Sequence, residues 1–212
     1  MSDVLDRLAG LGVVPVLTVE DADEAERACA ALLEGGLTAV EITFRTDAAG
    51  EAIRRVAGVD ELLVGAGTVL SRDQLERALD SGARFAVAPG TNPTVVDAAR
   101  EKGVLFAPGV ATPSEVERAR TLGCRALKLF PASLLGGPAF VRAIAPVYPD
   151  VRFIPTGGVG PDNLASYLEL PSVLACAGTW ICERTLLRER RYDEIRRRAR
   201  EALELAAVAL PA

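Results

Sequence analysis

Two consecutive stretches read alike: FAVAPGTNPTVVDAAREKG (Phe85–Gly103) and VLFAPGVATPSEVERARTLG (Val104–Gly123). Each opens on an apolar run and breaks at a Pro-Gly pair, Pro89-Gly90 in one and Pro108-Gly109 in the other. A capping residue followed by proline comes next, Asn92-Pro93 and Thr112-Pro113, the order expected at a helix start. Gly103 and Gly123 then supply the stop, because glycine accepts the left-handed backbone that ends a helix. The unit is a strand, a turn and a helix, and its repetition marks a chain built from βα units.

The same rhythm extends in both directions. Short apolar runs begin near Val13, Leu37, Leu62, Arg84, Val104, Arg125, Val151 and Val173, giving eight strand candidates. Helical stretches lie between them, including Ala22–Glu34, Arg72–Leu79 and Pro113–Leu122. Their starts carry capping pairs, Asp21 with Glu24, Ser71 with Gln74 and Thr112 with Glu115, and glycine stops also stand at Gly35 and Gly82. Near-continuous apolar strands alternating with helices imply parallel strands covered on both faces. Eight such units predict an α/β fold, a (β/α)8 TIM barrel with lean loops. An open doubly wound sheet is the alternative, but the first turn has no GxGxxG. The first ten residues predict a short helix with Val4, Leu5 and Leu8 on one face, placed over the bottom of the barrel. No linker or composition break appears, so residues 1–212 read as a single domain. The helix predicted over Tyr192–Ala207 carries Arg196, Arg197, Arg198 and Arg200, read as a solvated face.

Composition narrows the chemistry. Half of the 212 residues are hydrophobic and a quarter are charged, which suits a packed core. A net charge of −5 argues against nucleic-acid or anionic-membrane partners. There is no histidine, which removes every His-based nucleophile relay, acid, base or zinc ligand. The four cysteines, Cys29, Cys124, Cys176 and Cys182, form no CxxC and read as reduced core thiols of a cytoplasmic protein. The start of the chain lacks the basic-then-apolar layout of a signal peptide, and no apolar run is long enough to span a membrane. Without histidine a metal would need clustered carboxylates at strand ends, so no metal site is predicted.

Only two of the 24 basic residues are lysines, Lys102 and Lys128. Lys102 precedes a helix stop and reads as surface. Lys128 sits in the sixth strand candidate, where alternation places Ala126, Lys128 and Phe130 on one face and Leu127 and Leu129 on the other. If the leucines meet the helices, the ammonium points inward. It is costly to desolvate there, which favours a neutral amine able to attack a ketone. The bland alternative is a strand-end lysine that reaches solvent or pairs with an acid. In the second strand Glu41, Thr43 and Arg45 share parity, opposite Val40, Ile42 and Phe44. A buried Glu41 and Arg45 form either a structural ion pair or a proton-transferring carboxylate beside a carboxylate-gripping guanidinium. Glycine-rich ends close three strands: Gly65-Ala66-Gly67-Thr68, Pro155-Thr156-Gly157-Gly158-Val159 and Ala177-Gly178-Thr179-Trp180. The latter two follow strands seven and eight, where barrel enzymes bind phosphate on backbone amides. Asp162 and Asn163 follow as expected helix caps.

Taken in order, these motifs resemble one family. Val-Val-Pro-Val (13–16), Glu-Ile-Thr-Phe-Arg-Thr (41–46), Gly-Ala-Gly-Thr-Val (65–69), Ala-Pro-Gly (88–90), Lys-Leu-Phe-Pro-Ala (128–132), Pro-Thr-Gly-Gly-Val (155–159) and Gly-Thr-Trp (178–180) resemble the 2-keto-3-deoxy-6-phosphogluconate aldolases, also called 4-hydroxy-2-oxoglutarate aldolases. The resemblance implies a metal-independent class I aldolase on a (β/α)8 barrel, usually a homotrimer. Its substrate would be a keto-acid sugar phosphate, 2-dehydro-3-deoxy-6-phosphogluconate, cleaved to pyruvate and D-glyceraldehyde 3-phosphate, or 4-hydroxy-2-oxoglutarate, with no cofactor beyond the imine on Lys128; the alternatives are an aldolase for the galactonate epimer and a non-catalytic sugar-phosphate-binding barrel. It matches Lys128 to the Schiff-base lysine and Glu41 to the acid–base carboxylate. Arg45 and Thr68 match groups near the pyruvyl carboxylate, Thr156 a site hydroxyl, and Pro89 a wall residue. Gly157, Gly158, Gly178 and Thr179 match the phosphate cradle. Two departures bear on substrate preference: Ala177-Gly178-Thr179-Trp180 stands where the family has Gly-Gly-Ser-Trp, and Ser133 where it has Glu after Phe-Pro-Ala.

Overall fold

The computed structural model describes residues 2–210; Met1, Pro211 and Ala212, which the single-domain expectation takes in, lie outside the described residues. A first helix, α1 (Ser2–Leu11), leads into β1 (Val13–Leu17), and strands and helices then alternate. The series runs α2 (Ala22–Glu34), β2 (Ala39–Thr43), α3 (Ala49–Val56), β3 (Leu63–Gly67), α4 (Arg72–Asp80), β4 (Phe85–Val87) and α5 (Pro93–Glu101). It continues through β5 (Leu105–Ala107), β6 (Gly109–Val110), α6 (Pro113–Thr121), β7 (Ala126–Leu129), α7 (Pro138–Ile144), β8 (Arg152–Pro155) and α8 (Leu164–Leu168). β9 (Cys176–Gly178), α9 (Arg184–Arg188) and α10 (Tyr192–Ala209) complete it.

Every strand pair is parallel. One sheet has the order β5-β4-β3-β2-β1-β9 and the other β6-β7-β8. The strand expected from Val104 is thus two strands, because Pro108 has no N–H to carry the ladder through. Its carbonyl still accepts from the Lys128 amide at 2.9 Å, so β5 and β6 hand the chain from one sheet to the other. On the far side β8 meets the β9 segment through bridges at Phe153–Val173 and Thr156–Ala177. The parallel sheet therefore curls, as in an α/β barrel.

Side-chain alternation sorts the core into two clusters. Val13, Leu17, Val40, Ile42, Val64, Ala66, Leu127 and Leu129 pack outward under the helices. Val14, Val16, Ala39, Leu63, Phe85, Leu105, Ala126 and Ile154 pack inward, together with Val4 and Leu8 of α1. Gly65 is obligatory beside them, since a Cβ there would collide with the Phe85 ring. The expected caps form: Asp21, Ser71 and Thr112 accept from the amides of Glu24, Gln74 and Glu115. One stop is displaced. Gly35 still bonds back to Ala31 in a right-handed conformation, and the left-handed residue after α2 is Gly36, at φ +92°.

The final helix packs against α2 and α8 through Ile195, Ala199, Ala202 and Ala206. Its arginines do not form a uniformly solvated face. Arg197 and Arg200 are exposed, but the Arg198 side chain is only 22% exposed and reaches back toward the strand ends. No helix among the described residues is long and apolar enough to cross a membrane.

Candidate active site

The carboxyl ends of the strands surround a cavity of about 350 Å³. Glu41, Arg45, Thr68, Pro89, Lys128, Thr156, Gly157, Gly158, Gly178 and Thr179 all line it. A larger groove of about 460 Å³ opens at the opposite end of the strands, against Leu5, Val104 and Cys124, but it lacks a buried ion pair. The buried ion pair lies in the smaller cavity.

Lys128, on β7, and Glu41, on β2, meet in its floor. Lys128 Nζ donates to Glu41 Oε1 at 2.9 Å and to Oε2 at 3.3 Å. Lys128 is 5% exposed and Glu41 2%, so each charge has exchanged water for the other. Space for the carboxylate comes from Gly67: a Cβ there would stand 2.7 Å from both Cγ and Cδ of Glu41. Beside the pair, Thr18 and Thr43 share a buried hydroxyl–hydroxyl hydrogen bond of 2.8 Å. Thr43 has the parity of Glu41 and was legible on that basis. Thr18 follows β1 and has no motif of its own, yet its position past Val14 and Val16 continues the inward face.

The Glu41–Arg45 ion pair, one of the two readings of these residues, is not what forms. β2 ends at Thr43, so Arg45 lies in the following turn, where strand alternation no longer aims it inward. It is exposed at the cavity mouth, and Glu41 pairs with Lys128 instead. Of the charged side chains lining the cavity, Lys128 and Arg45 are cationic and Glu41 is anionic. The resulting excess of positive charge suits an anionic ligand.

Thr68 follows β3 at φ +56°, left-handed backbone that a β-branched residue adopts only under constraint. Pro89 forms a wall held close to β6 because Gly109 has no side chain to push it away. Thr156 is buried, and its hydroxyl donates to the Ile154 carbonyl at 3.2 Å. Gly157 and Gly158 follow with φ of +93° and +74°, two successive residues in left-handed backbone that glycine adopts without strain, and both line the cavity. Asn163 does not cap α8 as expected. Its side chain accepts from the Gly160 amide at 3.0 Å and donates to the Gly158 carbonyl at 2.9 Å, bracing the glycine turn. The Ser133 amide donates to the Gly157 carbonyl at 3.0 Å, and the Ser133 side chain occupies the space a Cβ on Gly158 would need. Gly178 and Thr179 stand opposite at the end of β9.

The cysteines do not compete as nucleophiles near neutral pH. Burial pushes the Cys29 thiol up to about 12 and also raises Cys176 and Cys182 well above the ordinary thiol value. Cys124 is half-buried and is also raised by desolvation. No group of three or more His, Cys, Asp or Glu side chains among the described residues is placed to hold a metal ion.

A buried amine hydrogen-bonded to a carboxylate, in the floor of a cavity with an excess of positive charge, is equipment suited to a carbon–carbon lyase that works through lysine. Comparison with known proteins gives the family. A family model described as KDPG and KHG aldolase matches residues 4–198, and the chain belongs to that family. It is similar to the KHG/KDPG aldolase of Escherichia coli, 42% identical over 91% of each chain. The fold matches the 2-keto-3-deoxy-6-phosphogluconate aldolase of Zymomonas mobilis, solved with 3-phosphoglycerate, at a TM-score of 0.88 and 36% identity, covering 99% of this chain and 98% of that one. It also matches the KDPG aldolase of Legionella pneumophila, captured with pyruvate as a covalent carbinolamine, at a TM-score of 0.87 and 31% identity over 98% of each chain.

Proposed function

We propose that the protein is a class I aldolase that cleaves 2-dehydro-3-deoxy-6-phosphogluconate to pyruvate and D-glyceraldehyde 3-phosphate. The same chemistry extends to 4-hydroxy-2-oxoglutarate, giving pyruvate and glyoxylate. The observation that carries this reading is the buried Lys128–Glu41 pair at 2.9 Å. Glu41 takes a proton from the ammonium, and the freed amine attacks the C2 ketone. Glu41 returns a proton to the carbinolamine hydroxyl, which leaves as water to form the imine. The carboxylate next accepts the C4 hydroxyl proton as the C3–C4 bond breaks, with that electron pair passing to the imine nitrogen. The aldehyde departs, the enamine is protonated at C3, and hydrolysis releases pyruvate and the free amine.

The remaining lining residues receive roles by position. Arg45 and Thr68 hold the substrate carboxylate and orient the imine, while Pro89 and the Thr156 hydroxyl bound the reacting carbons. The amides of Gly157, Gly158, Gly178 and Thr179 hold the phosphate, whose remote binding aligns the bond to be broken. The lysine supplies the electron sink, so the reading requires no metal or cofactor.

The finer architecture belongs to the same proposal. We read the curled sheet as a closed eight-stranded barrel, with α1 plugging its amino end through Val4 and Leu8. Arg7 supports that placement by donating to the carbonyls of Thr38 and Glu61. Residues 1–212 are read as one catalytic domain, assembled as a homotrimer. The four free thiols support a reducing, cytoplasmic setting.

Borohydride reduction in the presence of pyruvate, followed by peptide mapping, tests the mechanism. A reduced pyruvyl adduct on Lys128 is expected, and Lys128→Ala abolishes both the adduct and turnover. A folded protein that turns over substrate without a Lys128 adduct overturns the assignment.

A further inference from the structure

None of the α10 arginines has a task in the aldol chemistry, and Arg198 is the least exposed of those paired with carboxylates. Its helix is held against the body of the protein by Ile195 and Ala199, both buried. From that fixed base the guanidinium crosses to the loop that follows β9. Nη1 donates to the Trp180 carbonyl at 2.5 Å and to Glu183 Oε1 at 3.0 Å, and Nε donates to Glu194 Oε1 at 2.8 Å. Arg197 also donates to Glu194, at 2.8 Å to each oxygen, so the carboxylate is held from two sides. These arginines pull the Glu194 carboxyl down to about 2, which keeps the cluster ionised across the working pH range.

The gripped loop is the one that presents Gly178 and Thr179 to the cavity. The Thr179 carbonyl accepts from the Cys182 amide at 3.1 Å, closing a tight turn around Trp180. The Trp180 indole lies across Gly178, its Cδ1 2.9 Å from where a Cβ on that glycine would be. Trp180 is therefore fixed at two points, its ring against Gly178 and its carbonyl by Arg198. The peptide between those points carries Thr179.

We propose that Arg198 is a positioning residue that holds the Gly178–Thr179 turn in register and thereby sets the preference for phosphorylated over unphosphorylated keto acids. The inference rests on the function proposed above. Its basis is the assignment made there, in which Lys128, Glu41 and Arg45 take the keto acid and the β9 turn takes the phosphate. A turn released from Arg198 misdirects amides that only a phosphorylated ligand uses.

The test compares wild type with Arg198→Met, which keeps the stem and removes the three hydrogen bonds, and with Arg198→Lys, which keeps the charge. Inorganic phosphate binding is measured by calorimetry, and pyruvate trapping on Lys128 by mass spectrometry. KM and kcat are measured for 2-dehydro-3-deoxy-6-phosphogluconate and 4-hydroxy-2-oxoglutarate. Arg198→Met is expected to weaken phosphate binding and raise the phosphorylated substrate's KM by about tenfold, the scale of one hydrogen bond to a charged group. Pyruvate trapping and the KM for 4-hydroxy-2-oxoglutarate stay within about twofold, and Arg198→Lys recovers part of the loss. The proposal is overturned if phosphate binding is unchanged, if wild type binds no phosphate, or if both substrates and trapping weaken together. Absence of pyruvate trapping in wild type sinks the catalytic reading instead, and the phosphate comparison then still decides the role of Arg198.

Discussion

Replacing Gly67 with alanine probes the site where it is tightest. The added methyl carbon would lie 2.7 Å from Cγ and Cδ of Glu41 and nearer still to Oε1. Carbon atoms in contact sit about 3.5–4.0 Å apart, so the Glu41 side chain must retreat by about 1 Å. The Lys128 Nζ–Glu41 Oε1 distance of 2.9 Å then opens past the range of a good hydrogen bond. If Glu41 moves the protons as proposed, a displacement of about 1 Å is expected to lower kcat by about 100-fold. Overpacking also costs about 1–3 kcal/mol. At 2–4 °C per kcal/mol for a chain of this size, Tm falls by about 2–12 °C. Pyruvate release followed through lactate dehydrogenase and NADH gives the rate, and circular dichroism gives Tm. Gly58→Ala is the control, since nothing lies within 4 Å of a Cβ there. A folded Gly67→Ala variant with kcat within about twofold of wild type would refute the claim that this glycine seats the catalytic carboxylate.

Two further expectations test the same picture. Glu41→Gln keeps the shape but cannot accept a proton, so turnover is expected to fall by about 10²–10⁴-fold while some pyruvate imine is still trapped on Lys128; an unchanged rate reduces Glu41 to a structural partner of the lysine. Burial raises the Cys29 thiol from its ordinary 9.0 to about 12, so its linked stability is fully present below pH 9 and is lost as pH climbs toward 12. Thermal melts should show that alkaline decline, with a shallower slope in Cys29→Ala, and equal slopes would contradict the burial argument.

The C-terminal arginines show how a shared composition hides different roles. Arg196 pairs with Asp193 and with Glu34 of α2, and Arg197 with Glu201, where exposed ion pairs contribute little to stability. Arg198 shares their local sequence, but its phase on the helix points it to the β9 turn. Helix phase alone distinguishes it from its neighbours, and what lies opposite that phase is a property of the fold.

Features governed by a few adjacent residues were legible in the sequence. The caps at Asp21, Ser71 and Thr112 and the alternation of Ala126, Leu127, Lys128 and Leu129 depend on backbone period and local hydrogen bonding. Ordered motifs also picked out ten of the fourteen residues that line one cavity. Where local rules ended, the tertiary structure decided. Arg45 left the strand's parity because β2 stops at Thr43, and Asn163 braced Gly158 and Gly160 instead of capping α8. Pro108 divided one expected strand between two sheets. The Lys128–Glu41 pair joins residues 87 positions apart, and Arg198 reaches its carbonyl across 18. Such distances are set by how the curled sheet brings its strand ends together and by where the last helix docks. No periodicity along the chain encodes them, because they arise only when the whole core is packed.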